Sequence, residues 1–242
     1  MTTIGISKRT RIGQWNVRTL REPSRLAQFA AEMKRLHIEI AGISEMRWSG
    51  SEKTTTSNSN LVLHRSSNDG SRYGVGIYVS ERIKNTLHSS EPISDRLKKA
   101  RFRCRARHIN IIQCYALTED AKDDTKDDFY IAFTATLSKT RQGDINILVR
   151  DFYAKEGPNN TGLRSVMGQQ GTGTRNDNEE RLAELCQLFQ LVIGGTIFPH
   201  KDVHKYSWTS PSGNTRNLIG HICISTKWRH SLLDVRNKRQ SS

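Results

Sequence analysis

Apolar positions in this chain fall in short runs separated by long polar stretches. Their spacing switches between a period of two and a period near 3.6, the signs of strands and helices. Residues 12–17, 38–43, 61–64, 74–79, 109–115, 144–149 and 191–194 read as strands; in the fourth, Val75, Ile77 and Val79 alternate with Gly76 and Tyr78. Leu26, Phe29, Ala30, Met33 and Leu36 recur at helical spacing, which predicts a helix capped by Ser24 and running to about His37. A second helix over 123–141 puts Phe129, Ala132, Phe133 and Leu137 on one face. A third, over 177–190, opens with Asp177 three residues ahead of Glu180, a capping-box spacing. The runs 206–209 and 218–224 flank a Pro-Ser-Gly-Asn turn and read as a hairpin. Residues 49–60 and 155–175 are rich in small polar residues and read as loops. Strands outnumber helices and the helices lie between them, which predicts a layered α/β fold in a single domain.

One strand has an unusual face. Phe102, Cys104 and Ala106 alternate with Arg101, Arg103, Arg105 and Arg107. Such a row suits phosphate binding, or an edge strand whose charges deter aggregation, and the edge strand is the expectation. Charge extends this point to the whole chain. Lysine plus arginine total 38 against 24 acidic residues, a formal net charge of +14 over 242 residues. That excess attracts polyanions, nucleic acid first and an anionic membrane surface second. No apolar stretch approaches the roughly 18 residues of a membrane span, and the start carries no secretory apolar segment. The four cysteines show no C-x2-C spacing and sit in apolar runs, so they read as packed, reduced thiols of an intracellular protein. His200 and His204 have H-x3-H spacing without a second ligand pair. The glycines of 167–173 lack the lysine of a phosphate loop. The basic stretch 227–239 reads as a solvated tail or a weak phosphate contact, with the tail as the expectation.

Several segments carry more information in their order than any one does alone. They are GQWNVRTL, GISEMRWSG, YGVGIYVS, IIQCYALT, DINILVRDFYAK, NEERLAELCQLFQLVIGGTIFP and HKYSWTSPSGNTRNLIGHICI. Over about residues 11–236 the chain resembles the endonuclease/exonuclease/phosphatase superfamily. The likeness is to the apurinic-endonuclease-like domain of RTE-type non-LTR retrotransposons, a group that also holds host proteins of the craniofacial development protein 2-like type. The resemblance implies a DNase I-like, four-layer α/β sandwich with its active site on loops that follow strands. Residues 1–10 read as a short basic arm and 237–242 as a tail; the resemblance implies a DNA or other nucleic-acid partner, and cleavage of a phosphodiester with Mg2+, or Mn2+ in its place.

Residue by residue, the resemblance gives Asn16 the role of positioning carboxylates and phosphate. Glu45 takes the place of the metal ligand, Tyr115 that of the donor toward the phosphate, and Asp151 that of the group activating water. Without it, Asn16 reads as a turn residue, Glu45 as surface and Tyr115 as core. The departures are as informative. The family's Gly-Asp-Phe-Asn is here Arg150-Asp151-Phe152-Tyr153, which predicts a cation beside Asp151 that competes with metal, and a bulky ring in place of an orienting amide. Ile-Asp-His-Ile is here Ile219-Gly220-His221-Ile222, so the aspartate that orients a C-terminal histidine is gone. The family's terminal Ser-Asp-His is expected about ten residues beyond VRNKR, and the chain stops at Ser242 before it. This reads as a C-terminally truncated sandwich of marginal stability. Losing one positioned acid or base costs roughly 10²–10⁴ in rate. The expectation is therefore an impaired or inactive endonuclease domain, with a non-enzymatic nucleic-acid-binding module or a translated retroelement remnant as the alternative.

Overall fold

A computed structural model of the chain describes residues 9–50, 53–65, 74–105, 107–118, 120–151, 160–171, 176–201, 208–209, 216–217 and 220–237. It divides into two compact units. The first is Met1–Tyr115 with Thr140–Asp151; the second is Ala116–Lys139 with Phe152–Ser242.

Unit 1 is built on two sheets. In the first, β1 (Ile12–Asn16), β2 (Ile40–Ser44), β3 (Lys53–Thr55), β4 (Leu61–Arg65) and β5 (Val75–Val79) lie in the order β1-β2-β5-β4-β3. In the second, β6 (Leu87–Ser94), β7 (Leu97–Arg103), β8 (His108–Tyr115) and β9 (Ile145–Asp151) follow one another as β9-β8-β7-β6. Each sheet holds one parallel pair, β1 with β2 and β8 with β9; the other neighbours run antiparallel. A parallel pair needs a crossover between its strands. For the first pair that crossover is the helix α1 (Pro23–Arg35).

Helix α1 begins one residue before the expected cap. Glu22 holds the N-cap position without a side-chain bond, Pro23 fills the first turn, and Ser24 lies inside the helix. Proline is favoured there because its missing N–H has no helical partner to lose. The helix ends at Arg35 with Leu36 as its C-cap, and His37 beyond it takes a left-handed φ of 54° while the N–H of Ile38 returns to the Met33 carbonyl at 2.8 Å. Phe29 and Met33 then pack on Ala41, Ile43, Val62 and Tyr78, the outer face of the first sheet. Phe29 meets Trp15 and Tyr78 edge-on at 6.4 and 5.6 Å. Burying side chains of this size stabilises by about 1.5–3 kcal/mol each.

The other face of that sheet packs on the second sheet. Gly42 of β2 sets the approach: a Cβ there would meet the side-chain amide of Gln113, and Cγ1 of Val149 at 2.7 Å. Gln113 donates to the Ser44 hydroxyl at 3.1 Å and so ties β8 to β2. Both faces of β2 and β5 are buried, which is why a simple in-out alternation does not describe 74–79.

Two expectations for unit 1 change, and one strand had no signal in the sequence. The loop expected over 49–60 contains β3, a short exposed strand paired to β4. Strand β6 has no apolar signature because it is the exposed edge, where Pro92 is tolerated. Strand β7 therefore lies inside the sheet, so the basic row is not an edge. Arg101 instead makes a two-pronged, nearly buried pair with Asp144 at 2.9 and 3.2 Å.

Unit 2 contains α2 (Asp123–Ser138), α3 (Asp177–Leu188), β10 (Leu191–Ile193), β11 (Trp208–Thr209), β12 (Arg216–Asn217) and β13 (Gly220–Ser225). The capping box of α3 is shifted by one residue from the sequence reading. Asn176 is the cap, its side chain accepts from the Glu179 N–H at 3.1 Å, and Glu179 accepts from the Asn176 N–H at 3.0 Å. Arg181 links α3 to α2 through Asp127 and braces Asp177, which also pairs with Lys126 at 3.0 Å. The expected hairpin is split: β11 pairs with β12, whereas β13 pairs with β10. Cys114, Cys186 and Cys223 are buried and Cys104 is half-buried, all four as cysteines outside any disulfide among the described residues. Among the described residues no helix is long and apolar enough to cross a membrane.

Gly42→Ala is expected to force the two sheets of unit 1 apart. Overpacking of this kind costs about 1–3 kcal/mol. A lower urea midpoint at unchanged slope checks it; an unchanged midpoint would show that the sheets have slack.

Candidate active site

The C-terminal ends of the two parallel pairs lie at one edge of unit 1. Asn16 ends β1, Ser44 ends β2 and leads into Glu45, Tyr115 ends β8 and Asp151 ends β9. The register pairs Asn16 with Ser44 and Tyr115 with Asp151. Period-two alternation turns Gln14, Asn16, Ser44, Gln113, Tyr115 and Asp151 onto the facing sides of the two sheets.

Asn16 is the centre of the cluster. Its side-chain oxygen accepts from the Arg18 N–H at 3.0 Å, which fixes which way the amide points. Its nitrogen then donates to Glu45 Oε1 at 2.6 Å and to Asp151 Oδ2 at 2.9 Å. An amide has two N–H donors, and here each carboxylate receives one. Tyr115 donates its hydroxyl to the same Glu45 oxygen at 3.1 Å. The Arg96 guanidinium lies 5.2 Å over the Tyr115 ring and donates to the Tyr115 carbonyl at 3.3 Å.

The backbone holds Glu45 in an uncommon conformation. Glu45 and Arg47 have left-handed φ values of 58° each, and Met46 between them is buried. Gly76 on β5 leaves the space that the Met46 sulfur fills. With Met46 turned into the core, its two neighbours turn out together, and Arg47 Nη2 lies 3.6 Å from Glu45 Oε2. The loop after β2 is also clamped to the loop after β1. Leu20 N–H donates to the Met46 carbonyl at 3.0 Å, and Trp48 Nε1 to the Leu20 carbonyl at 2.7 Å. Arg21 Nε donates to the Arg47 carbonyl at 3.1 Å.

The two carboxylates differ in setting. Asp151 is only 4% exposed, and burial pushes its pKa up from 3.8 to about 6. The hydrogen bond from Asn16 opposes that rise, the neighbouring Glu45 charge adds to it, and Ser44 and Gln14 hold it down further. Glu45 is more open, with its side chain 16% exposed. Together they offer hard oxygen donors with one oxygen each not engaged by Asn16. Among the described residues no third Asp, Glu, His or Cys joins them. Such a set suits Mg2+, which is commonly held by one or two carboxylates with water and phosphate oxygens completing six positions.

The comparisons with known proteins agree on the architecture. Three solved structures share the fold. They are the endonuclease domain of TRAS1, a telomere-specific non-LTR retrotransposon (TM-score 0.58, 14% identity, 90% of this chain and 85% of that one); an endonuclease/exonuclease/phosphatase family protein from Leptotrichia buccalis (0.60, 12%, 90% and 88%); and a humanized D. rerio TDP2 (0.54, 12%, 88% and 81%). The chain has the DNase I-like fold of the endonuclease/exonuclease/phosphatase superfamily. In sequence it is 31% identical over 227 residues to craniofacial development protein 2 of Bos taurus, and 30% identical to that of Tragulus javanicus. It spans less than two fifths of those relatives' length, 38% and 39%. No protein-family model matches it.

Within this endonuclease/exonuclease/phosphatase fold, Asn16, Glu45, Tyr115 and Asp151 are joined by hydrogen bonds into one cluster. Other sequence expectations change or fall outside it. Arg150 is adjacent to Asp151 in β9, so alternation sends its side chain to the opposite face of the strand. It is fully buried there and is no competitor for a cation at Asp151. Tyr153 lies outside the described residues, as does His204. Gly220 opens β13 in unit 2, with His221 buried beside it. His200 pairs with Asp234 at 2.8 Å.

Sequence reasoning missed Gln14, Ser44, Gln113, Arg47, Arg96 and Lys98. A signal was available for Gln113, a lone amide inside the apolar run IIQCY. Lys98 of β7 lies opposite Gln113 of β8 and is buried, donating to the His64 carbonyl at 3.2 Å. Burial, then the Arg65 charge, bring its pKa down from 10.5 to about 8.

The two shifts give opposite pH dependences. Asp151 has a folded pKa above its unfolded 3.8, so its contribution to stability is full below 3.8 and lost as pH rises through about 6. Asp151→Asn removes that loss. It is expected to be more stable than the parent by about 2–3 kcal/mol at pH 7.5 and no more stable at pH 3.5, measured by urea unfolding. Lys98 has a folded pKa below its unfolded 10.5, so its contribution is full above 10.5 and lost as pH falls through about 8. Lys98→Met is expected to raise the thermal midpoint at pH 7 and to leave it unchanged near pH 11. An equal effect at both would assign the gain to packing instead of charge.

Proposed function

We propose that the chain is a retrotransposon-derived, metal-dependent DNA endonuclease domain whose turnover is impaired. The observation that carries this reading is the Asn16 amide bridging Glu45 and Asp151 at the ends of two parallel strand pairs, with Tyr115 on the same Glu45 oxygen. Glu45 would hold Mg2+ or Mn2+, and the ion would supply Lewis-acid stabilisation of charge on the phosphate. Asp151, ionised above about pH 6, would take a proton from the attacking water. Asn16 keeps the two carboxylates apart in role by holding one against each N–H. Tyr115 would turn its hydroxyl from Glu45 to a phosphate oxygen when substrate binds. The P–O bond to the leaving strand then breaks as the water oxygen bonds to phosphorus.

Impairment rests on two positions where the chain departs from the family it resembles. Tyr153 replaces an amide that orients the phosphate, and Gly220 replaces the carboxylate that orients a histidine. Losing one preorganised donor costs about 10²–10³ in rate, and losses within one constellation do not add. Arg150 is not counted among the damage, because its side chain leaves the opposite face of β9.

Binding without cleavage is the second reading, and the net charge of +14 favours it. Supercoiled-plasmid nicking with Mg2+ and Mn2+, beside Glu45→Ala and Asp151→Ala, separates the two. Nicking at the level of both variants, with duplex binding that weakens steeply with salt, is expected. Robust nicking abolished by either substitution would overturn the claim of impairment. Absence of duplex binding at low salt would remove nucleic acid as the partner.

A further inference from the structure

Glu45 receives three neighbours, and one of them is a cation. Asn16 and Tyr115 both donate to Oε1. Oε2, the oxygen left for an incoming ion, faces Arg47 Nη2 at 3.6 Å. This contact is longer than a hydrogen bond. Arg47 Nε is a buried donor with no hydrogen-bond partner among the described residues. The guanidinium is thus held near Glu45 by charge and by the shape of the loop, with its Nε donor unfilled among the described residues, and its side chain is 39% exposed. The backbone of Arg47 is fixed independently: its left-handed φ and the bond from Arg21 to its carbonyl do not involve the side chain.

We propose that Arg47 is an internal counter-cation of Glu45, displaced from Oε2 when a divalent cation binds there and thereby freed to take a phosphate oxygen of the nucleic acid. This deepens the reading of Glu45 as a cation ligand and rests on it. Two positive groups cannot share one carboxylate oxygen at contact distance in a partly buried site, because their repulsion grows as the solvent between them is excluded. Arg47 therefore gives up Glu45 when the ion arrives. Its guanidinium has five donors and a planar fork that matches phosphate oxygens, and it stays tethered beside the site by a rigid loop. Cation binding and polyanion binding then favour each other, and by linkage the coupling is the same in both directions. Without a divalent cation the same arginine is masked, so phosphate held at this position is weak.

The test measures binding and not turnover. Mn2+ affinity is determined by titration calorimetry for the full chain and for Arg47→Met, Arg47→Lys and Glu45→Gln, with circular dichroism to check folding. Arg47→Met is expected to bind Mn2+ about tenfold more tightly than the parent, Arg47→Lys to lie near the parent, and Glu45→Gln to lose binding. In parallel, the anisotropy of a labelled duplex is read with and without Ca2+. The parent is expected to gain about tenfold in duplex affinity on adding Ca2+, and Arg47→Met to gain little. Equal Mn2+ affinity in parent and Arg47→Met, or an undiminished Ca2+ gain in Arg47→Met, would overturn the counter-cation proposal while leaving Glu45 a ligand. No Mn2+ binding by parent or Arg47→Met would remove Glu45 as a cation site, and the proposal with it. Mn2+ binding kept by Glu45→Gln would also remove it, by placing the ion elsewhere.

Discussion

Two carboxylates from different sheets meet on one amide nitrogen, and the arrangement at this edge of unit 1 depends on that meeting. Glu45 follows a strand of the first sheet and Asp151 ends a strand of the second. Burial disfavours the charged form of Asp151, and the Glu45 charge adds to that. The Asn16 side chain opposes this by giving one N–H to each carboxylate. It can do so only because its own oxygen is pinned by the Arg18 N–H. A rotated amide would present an acceptor to two acceptors.

The fold supplies the geometry for this. Parallel pairs deliver strand ends to the same side, and one pair per sheet delivers two ends from each. Packing at Gly42 brings the sheets close enough for side chains on facing strands to bond directly, as Gln113 and Ser44 do. The strain sits in the loop after β2, where two non-glycine residues take left-handed φ. Such residues cost on the order of 1–3 kcal/mol each and persist where the surroundings over-determine them. Here the buried Met46 and the clamp from the loop after β1 provide that.

The strands and helices with a clear apolar period were legible in the sequence, because burial on one face writes the period directly. The edge strand β6 was not, since an exposed edge selects against that signal, and Pro92 argues against any strand at all. The hairpin expected at 206–224 forms only next to its turn, as β11 with β12, for another reason. Turn chemistry marks where the chain reverses but not which strand β13 chooses, and it takes β10. At the site, the four residues carried over by resemblance do converge. Arg150 was misplaced because adjacency in sequence was read as adjacency in space, whereas a strand separates neighbours onto opposite faces. Arg47 and Lys98 were invisible for a related reason. A lysine or arginine in a basic chain carries no mark of being buried or of facing a carboxylate.

Met46 has a wider consequence. Its side chain sits in the core under Gly76, while its own N–H and carbonyl are bonded to Gly74 and Leu20 on two different segments. The loop that presents Glu45 is therefore not a fringe of the sandwich that frays alone. The Met46 amide proton is held by the Gly74 carbonyl within the packing that also seats α1 on the sheet, so its exchange is tied to the opening of that layer. The charged edge and the apolar interior of unit 1 form one cooperative block, and the site lasts as long as its core does.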